Sequence, residues 1–158
     1  MDIKAIIQLL RDKGRVSLRD QQGQTIELIE QEKWDGGIDQ ANGVFLLFDL
    51  FQIRSIAMPF SDVSLDIVDY NSKPVIYYSP ANRNLSGAPV TDGKVKFAMI
   101  REGNWNKLLF NYGKLLIWQM AKEDKEADFE KIDKFPLLGA GVKEMFLGPE
   151  GEVKMLKG

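Results

Sequence analysis

The segment KVKFAMI, residues 94–100, indicates most clearly what kind of fold the sequence encodes. Val95 and Phe97 alternate with Lys94 and Lys96, which is the period of a β-strand with one apolar and one polar face. Because the polar face carries charge, that side of the strand is expected to meet solvent. The segment therefore predicts a sheet with one wet face.

Similar segments predict further strands. Val16 and Leu18, then Ile26 and Leu28, form period-2 runs on either side of a polar turn, as in a hairpin. Other segments are rich in β-branched and aromatic residues, or flank the turn sequence GPEG near the end of the chain. The predicted strands are residues 15–19, 25–30, 62–69, 74–79 and 94–100, with a closing hairpin formed by 143–147 and 152–156.

Two amphipathic helices are predicted from apolar residues at the i, i+3, i+4, i+7 spacing. The first covers residues 2–13 and ends before Gly14. The second is a longer helix around residues 104–122, with Asn104 as its N-cap and Gly113 as an internal weak point. The charged run at residues 122–131 is interpreted as a solvated end of this second helix.

The apolar run at residues 43–58 fits two structures. A helix buried on nearly all sides is favoured, because neither Gly nor Pro supplies the break that two strands would need. Strands remain the alternative. Pro59 is expected to end the element, and the segment WDGGIDQANG before it, residues 34–43, predicts a turn.

These elements give the expected fold class. It is α+β: a mostly antiparallel sheet with an N-terminal helix and a longer helix around residues 104–122. A chain of 158 residues is close to the commonest domain size, so residues 1–158 are expected to form a single globular domain.

The composition excludes several kinds of chemistry. The chain has no cysteine and no histidine, which removes thiolate nucleophiles, disulfides, histidine bases and the usual zinc ligands. No metal site and no cofactor are therefore expected. The net charge of -2, from 21 basic and 23 acidic residues, argues against a surface built wholly for a polyanion. The expected location is the cytoplasm, without membrane contact, because no export or anchoring pattern is visible.

The loop at residues 79–93 is the most unusual local feature, since fifteen residues without a secondary-structure pattern are uncommon in a compact domain. Its candidate ligand-binding residues are Asn82, Arg83, Asn84 and Ser86, with Arg83 able to contact a phosphate or carboxylate. The favoured interpretation is nevertheless a simple connection, because Asn, Ser, Gly and Pro are also the commonest turn formers.

This loop resembles a short segment of a known family. Its sequence is similar to the S-A-N-x-S-G-x-P segment of threonylcarbamoyl-AMP synthases, a resemblance that implies a part in binding ATP. The match needs three inserted residues, including Pro80, and the family's basic nucleotide-binding signature is not found upstream. The sequence interpretation therefore sets the resemblance aside. The matching residues are Ser79, Ala81, Asn82, Leu85, Ser86, Gly87 and Pro89.

Two charged clusters are weaker candidates. Asp62, Asp66 and Asp69 would share one face of a helix, where they could hold magnesium, but the favoured strand makes them a solvated face. The basic segment at residues 94–114 is interleaved with aromatic residues, as in some proteins that bind single-stranded nucleic acid. Its aromatics fall on apolar stripes, however, and packing is the favoured explanation.

The sequence thus favours a non-catalytic protein-interaction or self-association domain, whose partner is another protein or a second copy of the chain. The alternative is a small-ligand, nucleotide or anion-binding domain, conceivably an enzyme, that uses the loop at residues 79–93. A minor alternative is nucleic-acid binding through residues 94–114.

Overall fold

The computed structural model describes residues 1–35, 42–122 and 125–158. The helices of this part are α1 (Ile3–Lys13), α2 (Ile53–Ile56), α3 (Asp62–Tyr70) and α4 (Gly103–Tyr112). The strands are β1 (Arg15–Asp20), β2 (Thr25–Glu30), β3 (Val44–Leu47), β4 (Val75–Pro80), β5 (Val90–Thr91), β6 (Lys94–Met99), β7 (Leu116–Met120), β8 (Phe129–Ile132), β9 (Lys143–Leu147) and β10 (Val153–Lys157).

All these strands join one sheet of mixed direction, in the order β10-β9-β4-β6-β3-β7-β2-β1-β8, with β5 paired to β6. Most neighbours are antiparallel, and the pairs β3–β6, β4–β9 and β1–β8 are parallel. The expectation of mixed helix and strand content around a mostly antiparallel sheet is confirmed.

Helices cover both faces of the sheet. On one face, α1 and α4 pack against β1, β2, β7 and β3 around a core that contains Leu10, Leu28 and Trp105. On the other face, α2 and α3 pack over a second core that contains Phe45, Tyr77 and Phe97. The sheet therefore separates two hydrophobic cores.

The N-terminal helix and both hairpins are confirmed. Asp2 caps α1 by accepting a 3.1 Å hydrogen bond from the backbone N–H of Ala5. Gly14 ends the helix in the left-handed conformation, with φ of 75°, which a residue without Cβ adopts without strain. The predicted hairpins are β1–β2 and β9–β10, both antiparallel.

The helix favoured at residues 43–58 is wrong. This segment forms β3, a short 3-10 turn at Leu50–Gln52 and α2. A reciprocal cap between Asp49 and Gln52 makes the break: the Asp49 side chain accepts from the N–H of Phe51, and the Gln52 side chain accepts from the N–H of Asp49 at 3.2 Å. Polar side chains thus supply the break without Gly or Pro. The predicted turn at residues 34–43 lies largely outside the described residues, at positions 36–41.

The strand predicted at residues 62–69 is also wrong, because this segment forms α3. Ser61 caps the helix by accepting from the N–H of Ser64 at 3.4 Å. Ser64 and Val68, four residues apart, are the buried positions. The apparent period-2 alternation was a weaker signal than this serine cap.

The long helix around residues 104–122 is corrected to α4 followed by β7. Gly113 has φ of 82° and ends α4, so this glycine terminates the helix instead of only lowering its stability. The helix starts at Gly103 after Glu102, and Asn104 is not its N-cap. The prediction of a solvated helical end at residues 122–131 is wrong at its C-terminal side, where β8 begins at Phe129. Residues 123–124 lie outside the described part.

No described helix is both long enough and apolar enough to span a membrane.

Candidate functional site

On the face of the sheet that carries α1 and α4, these helices leave one part open. Strands β4, β6, β9 and β10 form this open part. Lys154 on β10 pairs with Phe146 on β9, Phe146 pairs with Tyr78 on β4, and Tyr78 pairs with Lys96 on β6. Directly paired residues share a face of the sheet, so these four side chains form one row. Phe146, Tyr78 and Lys96 are only half-buried, in contrast to the buried core positions on the same face.

The row crosses a depression of about 370 Å³, here called the lysine depression. Among the described residues, three lysines and one aspartate line it, a balance that attracts an anion. Thr91 and Asp92, at the end of the loop at residues 79–93, contribute to one wall. The lining residues are Tyr78, Thr91, Asp92, Lys94, Lys96, Phe146, Lys154 and Leu156.

A second depression, of about 330 Å³, adjoins the first and is here called the Trp118 depression. The two depressions share Tyr78 and Lys96, and together they form what we call the groove. Apolar side chains dominate the second depression, with polar groups at its edge. It is lined by Asn42, Val44, Ile76, Tyr78, Lys96, Trp118, Gln119, Met120 and Glu144.

Tyr78, at the junction, is held from two sides. Its hydroxyl donates a 2.5 Å hydrogen bond to Oε1 of Glu144, and the Lys96 ammonium lies 5.0 Å from the centre of its ring. Burial raises the pKa of the Tyr78 phenol, and the neighbouring Glu144 carboxylate raises it further. The phenol therefore stays protonated and acts as a donor at neutral pH.

The four predicted ligand-binding residues lie together in a turn of the 79–93 loop, but none of them lines the groove. Asn82 is used structurally: its side chain donates to the carbonyl of Arg54 at 2.8 Å and accepts from the N–H of Asn84 at 2.9 Å. Arg83 and Ser86 are exposed. The structure therefore separates the turn from the groove and gives Asn82 a role in fixing the loop.

Of the two charged clusters, the aspartates of residues 62–69 and the basic segment at residues 94–114, only the second contributes to the groove, through Lys94 and Lys96. The three aspartates do share α3, and all are exposed, yet no group of acidic residues in the described part has the geometry of a metal site. In the basic segment, Arg101 donates to the carbonyl of Val68 and Lys114 pairs with Glu30 at 3.0 Å. Its aromatics Trp105 and Tyr112 are buried, as the packing explanation requires.

Sequence patterns predict only part of the groove. The alternation in residues 94–100 placed Lys94 and Lys96 on one face, and this is confirmed. Tyr78, Glu144 and Lys154 were missed, because strand pairing between β4, β9 and β10 joins distant parts of the chain. Local periodicity carries no information on such pairing.

The chain was also compared with known proteins. No family model and no curated protein matches its sequence. Solved structures do match. E. coli YciO superimposes with a TM-score of 0.70 at 8% identity, over 98% of this chain and 87% of that chain. The chain shares the fold of YciO.

Two further neighbours were solved with ligands. P. abyssi Sua5 complexed with L-threonine has a TM-score of 0.71 at 10% identity, over 98% of this chain and 53% of that chain. Full-length HypF in its phosphate- and nucleotide-bound form has a TM-score of 0.69 at 8% identity, over 98% and 28%. The chain thus spans about half of Sua5 and a smaller part of HypF.

These neighbours overturn the leading sequence interpretation. The chain shares its fold with structures that were solved bound to small molecules, which favours the small-ligand alternative over a non-catalytic interaction domain. The expected protein partner or homo-oligomer is likewise wrong: the likeness gives it no support. The leading interpretation depends on the absence of a catalytic constellation, of histidine and of cysteine, and on an ample aromatic content, none of which argues against ligand binding.

Proposed function

We propose that the protein binds a small anionic molecule of the nucleotide type in the groove. The observation that carries this proposal is the combination of Lys94, Lys96 and Lys154 in one depression with the apolar wall around Trp118 in the next. A phosphate needs cationic partners, and a base needs a flat apolar surface. The groove supplies both within one continuous concave surface.

Three further observations support this proposal. HypF, which has the same fold, was solved with phosphate and nucleotide bound. The loop resemblance to threonylcarbamoyl-AMP synthases, set aside from the sequence, gains weight because another neighbour was solved with L-threonine. Residues 79–93 also end in Thr91 and Asp92 at the groove. We retain Arg83, with Asn82, Asn84 and Ser86, as proposed ligand contacts from this loop.

Ligand-induced thermal stabilisation tests the proposal. A ligand that binds only the folded state stabilises it by about 2.7 kcal/mol at a hundredfold excess over Kd. We expect AMP, GMP or pyrophosphate to raise the Tm of the parent protein. The double variant Lys94→Gln/Lys96→Gln should lose most of the shift, because each lost charged contact weakens binding by about tenfold or more.

Lys107→Gln is the matched control, since it removes one exposed lysine on α4 outside the groove. It should leave the shift unchanged. Arg83→Ala tests the loop separately: a reduced shift would place Arg83 at the ligand, and an unchanged shift would limit the site to the groove. If none of the three compounds stabilises the parent protein, the proposed function is wrong.

The proposal includes two features that the sequence predicted. We infer that residues 1–158 act as one domain, because a single sheet contains strands from both ends of the described chain. Limited proteolysis should then yield no stable fragment. The cytoplasmic location remains a prediction, which cell fractionation would check.

A further inference from the structure

The two ends of the groove differ in charge. Lys94 and Lys154 line only the lysine depression, whereas Glu144 lines only the Trp118 depression, and Lys96 borders both. An anionic group is attracted by the first end and repelled by the carboxylate at the second. A ligand with one anionic end is therefore expected to lie in a single orientation, with that end over the lysines.

The polar edge of the Trp118 depression carries a hydrogen-bond acceptor, the carboxylate of Glu144. Glu144 uses Oε1 to accept from Tyr78, which leaves Oε2 outside that bond. Gln119 adds no side-chain acceptor there, because its side chain donates to Oε1 of Glu27 at 2.8 Å on the face of the sheet opposite Trp118. An acceptor of this kind requires a donor on the ligand.

The apolar walls of this depression include the ring of Trp118 with Val44 and Ile76. Trp118 is only 9% exposed, and Phe135 packs against it with 5.0 Å between ring centres, so the wall is rigid. A flat heteroaromatic ring with N–H groups on its edge matches such a surface. A phosphate or a carboxylate does not.

We propose that Glu144 is a specificity-determining residue that accepts a hydrogen bond from the exocyclic amino group of a nucleobase. The base lies in the Trp118 depression and the phosphate lies over Lys94 and Lys154. Tyr78 is a positioning residue, because its 2.5 Å bond fixes the carboxylate against the sheet. This inference rests on the proposed function and adds the orientation and the class of base.

Two matched pairs of nucleotides test it by isothermal titration calorimetry. AMP differs from purine riboside 5′-monophosphate by one amino group, and GMP differs from IMP in the same way. For the parent protein we expect at least one amino-bearing member to bind about tenfold more tightly than its partner, as for a hydrogen bond to a charged group. In Glu144→Gln the Tyr78 hydroxyl donates to the amide oxygen, so the amide NH₂ faces the base. Because this NH₂ cannot accept from an amino group, the preference for the amino-bearing nucleotide should fall to about twofold or less.

Lys154→Gln is the control for the phosphate end. It should weaken both members of a pair by the same factor and leave the preference intact. Tyr78→Phe keeps the Glu144 carboxylate but removes the hydrogen bond that positions it. The preference for the amino-bearing nucleotide should therefore become smaller without being lost. This variant also keeps the test decisive if Glu144→Gln does not fold, which circular dichroism would reveal.

The outcomes separate the two proposals. If all four nucleotides bind without preference, or if the preference survives in Glu144→Gln, the role of Glu144 is refuted while the groove remains a nucleotide site. If none of the four binds the parent protein, nucleotide binding fails and the inference fails with it. A preference for the partner that lacks the amino group would refute the inference directly.

Discussion

The hydroxyl of Tyr112, at the end of α4, donates a 2.7 Å hydrogen bond to Oε2 of Glu30, at the end of β2. The ammonium of Lys114 lies 3.0 Å from the other oxygen of the same carboxylate, whose side chain is 8% exposed. Burial raises the pKa of Glu30, but the bonds from Tyr112 and Lys114 outweigh it and hold the pKa below its ordinary value of 4.5. The ionised carboxylate thus joins α4 to the sheet.

Tyr112→Phe is expected to destabilise the protein by about 1–3 kcal/mol, since it leaves an oxygen of a buried carboxylate without a donor. A pKa depressed by folding contributes stability that is present above the unfolded value of 4.5 and is lost as the pH falls through the folded value. The difference between parent and variant in urea unfolding should therefore shrink below pH 4.5. A difference that grows on acidification would contradict this account.

A second prediction concerns Glu27, which is 4% exposed and accepts hydrogen bonds from Arg15, Gln119 and Lys125. Glu27→Ala leaves two cations and an amide without their acceptor. We expect a loss of about 1–3 kcal/mol, less than for a fully buried pair because Arg15 and Lys125 retain solvent contact. Chemical denaturation measures the loss.

Glu130→Gln is the control for that experiment. It removes the partner of Arg19 in an exposed ion pair at 3.0 Å. Such surface pairs contribute about 0–1 kcal/mol, so the midpoint of unfolding should hardly move. If the two substitutions lowered the free energy of unfolding equally, burial of Glu27 would not explain its contribution to stability.

A third prediction tests the close approach of the loop to the sheet. A Cβ on Gly43 would lie 2.7 Å from Cγ of Pro89 and 3.0 Å from a methyl of Ile117. Gly43→Ala should therefore cost about 1–3 kcal/mol through overpacking, seen as a lower Tm. Gly103→Ala, where a Cβ meets nothing within 4 Å, is the control and should be neutral or slightly stabilising.

Sequence patterns predicted elements whose ends are marked locally. Helix α1 has a capping aspartate and a terminal glycine, and β1–β2 has two alternating runs around a polar turn. The long element predicted around residues 104–122 failed because Gly113 ended α4, and the apolar spacing happened to continue into β7. Apolar residues of a strand buried on both faces satisfy helical spacing by chance.

The groove was only partly predictable for a different reason. Lys94 and Lys96 belong to one strand, so alternation alone placed them on one face. Glu144 reaches Tyr78 only because β9 pairs in parallel with β4, 66 residues earlier in the chain. Such pairing depends on the strand order of the whole sheet, which a single sequence does not encode locally.

The strand order also fixes when the groove can exist during synthesis. Lys154 supplies one end of the row and Tyr78 its middle, and between them the chain builds α4 and β7 elsewhere in the sheet. A nascent chain that has reached β7 can form part of the sheet, but the edge of β4 that later pairs with β9 is still exposed. The unpaired backbone groups of such an edge can pair with a strand of another chain. The hairpin β9–β10 ends that exposure and completes the groove in one step, so ligand-binding capacity reports on completed folding.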